Sequence, residues 1–484
     1  MIALICATVN IAIIVRCFLR KESIFYPVCL LNLMWLAVHM MNLVLEWNSD
    51  EAAYLILLLP SLFFSVGFVI SDKTRLLPNT WKFLIQKIKD KSSVCKKILG
   101  WIATAAGTIK AFGKKNLDQI RKRKTSGGHL QGMRPTISTG VLTVVVVVFA
   151  FYAYEFLSRL GMYNDGNVWY AFRVITWEHH VNDMFVYKYS SLVAFLLPSV
   201  LLISAQKSKK KTELCKFIVS LVVAIIWSVL RTSRTSTFSI VIIMVMTQIL
   251  LMERNNTKKL NSQERVSIRK KKMGIFAVAV VFILAIFLYV ALQKETNSYG
   301  DVSVFEFFLK SLANYTNLSS AAFVEWYKQG VTHTYGSNSF RFVIAVLYKL
   351  GIITTLPAAN SGGLFITFEG LRTNAFTVAR AYVEDFGVLY MAVMMMIFGL
   401  VHGAVYSKAR RSKGLIQVRY ALINAMLDIP LFFQILTNQY LNVLSGWIQY
   451  VIWICLFTWP LLWTREVSDH KKRQTENRDQ IDTL

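Results

Sequence analysis

The chain has 484 residues, 55% of them hydrophobic, with a mean hydropathy of +0.46 and a formal net charge of +27. Apolar stretches of about 18 or more residues recur along it, the length that crosses a bilayer core, so the sequence is that of a polytopic membrane protein and not of a soluble one. The surplus of positive charge does not point to nucleic acid, because it gathers on one side of the apolar spans, the positive-inside signature of a membrane protein beside anionic lipid.

In chain order, hydropathy predicts an all-α protein with crossings over 1–19, 24–46, 52–70, 139–158, 189–206, 213–230, 235–252, 274–293, 387–406, 416–436 and 445–463. The first is expected to be a retained helix starting outside, since Arg16, Arg20 and Lys21 stand at its far end without a small-residue cleavage pattern. The organisation expected is three helices over 1–70, a basic cytoplasmic segment over 71–138, helices four to eight over 139–293, a large outer loop over 294–386, helices nine to eleven over 387–463, and a cytoplasmic tail over 464–484. Within 71–138, the apolar stretch 98–112 between Lys97 and Lys114 is expected on the membrane surface, and the run Arg121–Lys124 reads as a lipid-attracted linker.

The basic linkers 207–211, 254–272 and 408–413 fall on the side of that segment and of the tail. Of the 54 Lys and Arg, 42 lie on this inner side and 12 on the other, and seven of those twelve are Arg. Inner loops collect Lys and Arg, so the skew sets the orientation and makes the outer arginines candidates for binding an anion. None of the six Cys lies in an outer loop, and no zinc-type pair is present.

A loop as long as 294–386 should fold locally and carry function. Inside it, Phe340–Leu356 is too short and interrupted to span comfortably and suits a helix at the interface or dipping into the protein; a twelfth crossing is the alternative.

Two arginine groups carry the chemistry. Arg231 and Arg234 sit in Arg-Thr-Ser-Arg-Thr-Ser, a very short outer turn, and their i, i+3 spacing can present two guanidinium forks to a phosphate. Arg341, Arg372 and Arg380 form the second group, with Asn374 and Thr377 between the last two and Glu384 and Asp385 just after. On a helix starting near Thr377, Arg380 and Glu384 would be i and i+4 and could simply pair. Two groups meeting from distant stretches would form a pyrophosphate clamp. For a catalytic base, Asp385 and Glu384 rank first, then Glu369, Glu325 and His333. Trp326, Tyr327, Tyr335 and Tyr382 could pack on sugar rings or serve as interface belt residues. Glu178, His179, His180 and Asp183 lack a third well-spaced ligand from another element and read as a polar turn, so no metal site is assigned. Asp428, two residues before Pro430 in a span, should face the bundle interior with a partner. Gly399 and Gly403 are spaced for close helix packing.

The stretch Arg372–Gly387, RTNAFTVARAYVEDFG, followed by an apolar span resembles the late signature of Wzy-type oligosaccharide repeat-unit polymerases, and Arg231–Phe238 is similar to their mid-chain arginine turn. The resemblance covers most of the topology and two short motifs. It implies a GT-C-like membrane glycosyltransferase that uses no metal and no cofactor, in a bacterial cytoplasmic membrane with its site facing the periplasm. The substrates implied are polyprenyl-pyrophosphate-linked oligosaccharides, surrounded by membrane lipid, with a flippase and a chain-length regulator of the same pathway as partners and no nucleic acid. Arg231, Arg234, Arg341, Arg372 and Arg380 would hold the pyrophosphate, Asp385, Glu384 and Arg380 would serve catalysis, and Asn374, Thr377, Tyr382, Tyr335 and His333 would touch substrate. A glycan ligase of the O-antigen type and a flippase of lipid-linked glycan are the competing readings.

Overall fold

The computed structural model describes residues 2–20, 22–44, 51–74, 133–135, 138–160, 171–172, 174–175, 184–208, 210–231, 234–255, 274, 278, 317–354, 364–368, 371–459 and 463–465. The amino-terminal helices are α1 (Ile2–Leu19), α2 (Pro27–Val44), α3 (Glu51–Ile56) and α4 (Leu59–Thr74). A middle group follows: α5 (Ser138–Leu160), α6 (Phe185–Ser208), α7 (Lys211–Leu230) and α8 (Arg234–Asn255). The loop helices are α9 (Ser319–Lys328) and α10 (Arg341–Lys349), and the last group is α11 (Val378–Arg411), α12 (Gly414–Phe433) and α13 (Leu444–Phe457). Among the described residues, 8 helices are long and apolar enough to cross a membrane, with shorter apolar helices at Pro27–Leu43 and Leu444–Phe457. Ten of the expected crossings coincide with these helices; the eleventh, 274–293, lies outside the described residues, as do 98–112 and 121–124.

The packing runs laterally. α4 lies against α11, α11 against α12, α12 against α8, and α8 against α6, which also holds α7 and α5. The α4–α11 contact is the closest, because three glycines remove side chains where the backbones cross. A Cβ added at Gly399 would collide with the backbone of Phe64, one at Gly67 with that of Met396, and one at Gly403 would come within 2.5 Å of the Phe68 carbonyl. The role expected of Gly399 and Gly403 is the one they have. Where helices meet through polar groups, these pair: Ser61 donates to Asn10 at 3.1 Å and Asn32 to Ser65 at 2.9 Å. At the basic end, Tyr26, Ser407 and Arg411 all bind Asp72, while Arg410 reaches Glu22 at 3.2 Å, which ties the α1–α2 turn to the ends of α4 and α11.

Two departures from a purely helical chain appear. Met133–Pro135 (β1) pairs antiparallel with Trp463–Arg465 (β4), and Ile366–Phe368 (β2) pairs antiparallel with Leu371–Thr373 (β3) inside the large loop. The first shortens the last expected span, because α13 stops at Phe457. Arg419 donates to Thr458 Oγ1 at 2.9 Å and to its carbonyl at 3.2 Å, a cation on the helix carboxyl end, and Pro460 lies just beyond.

The large loop folds locally, as its length demands. α9 is buried, with Asn317 just before it donating to Asn42 of α2 at 3.0 Å and Ser319 bonded to the Ile435 carbonyl at the end of α12. α10 has nine residues and none is buried. It spans about 13 Å against a bilayer core of about 30 Å, so the twelfth crossing is overturned, and it does not dip into the protein either.

Candidate functional site

The site forms where α11 begins, at the end of the bundle opposite the basic linkers. Thr377 is the N-cap of α11 in extended conformation, yet its side chain makes no capping hydrogen bond. The N–H of Val378 instead donates to the Gln434 carbonyl, just past the end of α12, at 2.8 Å. That bond meets the first helical N–H, while the Thr377 hydroxyl does not take the capping role that such residues usually perform. It is buried, has no hydrogen-bond partner among the described residues, and borders a cavity.

That cavity is an open cleft with about 340 Å³ of empty space, solvent at its mouth included, and is lined by Asn338, Asn374, Phe376, Thr377, Arg380, Ala381, Glu384, Thr437, Asn438 and Asn442. Three segments far apart in sequence supply it: the turn before α10, the approach to α11 with its first turns, and the α12–α13 connection. Its wall is mostly neutral amide and hydroxyl, with one cation and one carboxylate. The Nδ2 group of Asn438 is, like the Thr377 hydroxyl, buried and without a partner among the described residues. Buried donors in that state are costly unless a ligand or water meets them.

Arg380 stands at the centre. Its guanidinium covers the Phe376 ring at 4.0 Å and the Trp326 ring at 5.5 Å, and one Nη lies 3.6 Å from Glu384 Oε1. The pairing of Arg380 with Glu384 at i, i+4, expected from their spacing, is therefore present. Asn338 donates to the other oxygen of Glu384 at 3.0 Å.

Asp385 faces away from the cavity and is fully buried. Thr334 Oγ1 donates to its Oδ1 at 2.6 Å and the Asn338 N–H at 3.1 Å, while the Ser339 N–H donates to Oδ2 at 2.7 Å with the Ser339 hydroxyl beside it. Both carboxylate oxygens are thus occupied in holding the Thr334–Ser339 turn, whose central residues Tyr335 and Gly336 have positive φ of 48° and 92°. The same turn is fixed at the Glu384 carbonyl, which accepts the Thr334 N–H at 2.9 Å and lies 3.2 Å from His333 Nδ1. Directly after Asp385 the helix breaks, with Gly387 at φ 85°, and the membrane-length part of α11 continues from there.

Of the expected site residues, the structure gathers Arg380, Glu384, Asn374 and Thr377 around the cavity. Tyr382 is fully buried and donates to Asn438 Oδ1 at 3.0 Å, so it supports a lining residue rather than reaching the cavity itself. Tyr335 is exposed outside the lining, and His333 is engaged with the Glu384 carbonyl. Glu325 pairs with Lys328 at 2.7 Å, and Trp326 and Tyr327 pack on Phe323. Arg341 opens α10 and is not a lining residue.

Arg231 also stands apart from the lining: its Nη1 donates to Ser191 of α6 at 2.5 Å. Arg234 is the first residue of α8, and Phe238 one turn later meets Phe433 at 6.0 Å, just before the Gln434 carbonyl that caps α11. The two arginine stretches therefore share one end of the bundle. The side chains of Arg234 and Arg372 lie outside the described residues, as do Glu369, Glu178, His179, His180 and Asp183.

Sequence reasoning missed Asn338, Thr437, Asn438 and Asn442. The signal was there in Thr437-Asn-Gln-Tyr-Leu-Asn442, three amides within five residues in a short turn between apolar spans. Beneath that turn, Tyr440 donates its N–H to Asn438 Oδ1 at 3.1 Å and stacks on Phe398 at 4.1 Å. Burial, and then the carboxylate of Asp428, hold its phenol well above the usual range, so it stays neutral. Asp428 itself faces the interior, as its position in a span requires, and accepts from Asn424 at 2.9 Å.

No family model, no curated protein and no solved structure matches this chain.

Proposed function

We propose that this protein is a membrane glycosyltransferase of GT-C-like architecture that joins lipid-linked oligosaccharide units at the outer face of a bacterial cytoplasmic membrane. One observation carries the reading: Thr377 and Asn438 offer buried donors with no partner among the described residues, beside Arg380, in a cavity walled mostly by neutral amides and hydroxyls. Amides and hydroxyls match the alternating donors and acceptors of a sugar, and a guanidinium matches the phosphate of a lipid-linked one. The volume suits a small polar group rather than a whole glycan, so the remainder of the substrate would extend outward.

In this mechanism an acceptor sugar hydroxyl attacks the anomeric carbon of the donor. The new C–O bond forms as the bond to pyrophosphate breaks, and the polyprenyl pyrophosphate leaves with the electron pair. Arg380 meets that growing negative charge, in surroundings where Phe376 and Trp326 limit competing water. The proton of the acceptor goes to Glu384, one of whose oxygens has only the guanidinium at 3.6 Å while Asn338 orients the other. Asp385 is the weaker candidate for base, since four donors already surround it. Arg231 and Arg234 would then serve the pyrophosphate from the neighbouring helix ends rather than from the cavity wall.

The test is purified protein in lipid vesicles supplied only with polyprenyl-pyrophosphate repeat units. A ladder of longer glycans without nucleotide sugar supports the reading. Transfer only to a different added acceptor would identify a ligase, and movement across the bilayer without extension would identify a flippase.

A further inference from the structure

The large loop carries a second surface that the cavity does not use. On α10, Val343 and Val346 are exposed, as are Phe340 just before the helix and Leu350 at its C-cap, while Arg341, Ala345, Tyr348 and Lys349 occupy the opposite face. The apolar set falls at steps of three and four residues, so it forms one stripe. In water this stripe would be an exposed apolar patch with nothing to shield it.

What covers it follows from where it leads. A Cβ at Gly336 would come within 2.7 Å of the Phe340 ring and 3.2 Å of the Phe386 ring, so the two rings lie together against that glycine. Phe386 is the top of a second exposed stripe, which continues down α11 through Leu389, Val393, Ile397 and Val401. That stripe lies on a membrane-length helix and faces outward from the bundle, the position of a lipid-facing surface. The apolar side of α10 and this stripe approach each other at Gly336, which both Phe340 and Phe386 border.

We infer that α10 is an interfacial helix whose Val343–Val346–Leu350 stripe is seated in the acyl chains of the leaflet at the cavity end, with Arg341 and Lys349 reaching the lipid phosphates. The distribution is that of helices that lie in the plane of a membrane surface, and the long basic side chains on its polar face are able to snorkel. The consequence is positional. α10 grows directly out of the turn that delivers Asn338 to the cavity and Ser339 to Asp385, so a seated helix fixes that turn, and the cavity with it, at the depth of the lipid headgroups. This inference stands independently of the reaction proposed above.

The experiment places the photo-reactive residue p-benzoylphenylalanine singly at Val343, Val346, Leu350, Ala345 and Tyr348 in the full chain. Each variant is reconstituted in phosphatidylethanolamine–phosphatidylglycerol vesicles and irradiated, and adducts are read by mass spectrometry. Lipid-chain adducts at 343, 346 and 350, with none at 345 and 348, support the assignment. Adducts of equal yield on both faces, adducts to a second copy of the protein, or no adducts on the stripe each overturn it. Because all five positions lie on a helix without buried residues or at its exposed C-cap, the substitutions do not disturb the core.

Discussion

Arg380 and Glu384 lie one helical turn apart at the start of α11, with the guanidinium 3.6 Å from the carboxylate and its carbon 4.0 Å from the centre of the Phe376 ring. The pair is nearly buried, and its separation exceeds that of a close ion pair. Replacing Arg380 by Ala is expected to reduce glycan extension by about 100-fold or more, the scale seen when a preorganised donor to developing charge is removed. Arg380→Lys should also be impaired, because a point charge cannot reproduce the planar fork or its stacking on Phe376. Initial rates of ladder formation in vesicles measure both.

Glu384→Gln keeps the shape of the side chain and removes its basicity. It is expected to abolish extension while leaving thermal unfolding close to that of the unaltered protein. A variant with normal rate would move the base role to another residue.

Asp385 should behave in the opposite way. Its carboxylate holds four donors of the Thr334–Ser339 turn, so Asp385→Ala leaves those buried donors unmatched and should destabilise by about 3 kcal/mol or more. Ser339→Ala removes one hydroxyl and should cost about 1 kcal/mol. Denaturation in detergent, compared across the two variants, checks the order.

Gly387 joins the turn that carries Arg380 and Glu384 to the membrane part of α11, at φ 85° and with open space around its Cα. Gly387→Ala therefore meets no clash, and its cost comes from backbone strain of about 1–3 kcal/mol. At Gly399 the reverse holds, since a Cβ there collides with the Phe64 backbone and forces α4 away from α11. Gly399→Ala should lower the unfolding temperature at least as much, although its φ is ordinary.

Much of this fold could be read from the sequence because membrane spans announce themselves by length and apolar composition alone. The break at Gly387 coincides with the expected start of the ninth crossing, and the helix cap at Thr377 with the expected start of the Arg380–Glu384 turn. The end of α13 was not legible, since Arg419, a full helix away, supplies its capping donor. Nor was the cavity wall. Asn438 and Asn338 become neighbours of Arg380 only through tertiary packing, and an Asn in a turn carries no charge to mark it. Asp385 seemed as good a base as Glu384 because adjacent carboxylates look alike in a sequence; helix geometry then turns one to the cavity and the other to the Thr334–Ser339 turn.

The central claim, that lipid-linked sugars are joined at the Arg380–Glu384 cavity, is tested most directly by substituting a lining residue and, separately, the side chain that supports it. Asn438→Ala removes a cavity donor, and Tyr382→Phe removes only the hydroxyl that supports it. Steady-state extension of polyprenyl-pyrophosphate repeat units in vesicles should show a raised KM for both, larger for Asn438→Ala, with membrane insertion unchanged. Unaltered KM and rate in Asn438→Ala, together with an unaltered ladder in Arg380→Ala, would place the chemistry elsewhere and contradict the account.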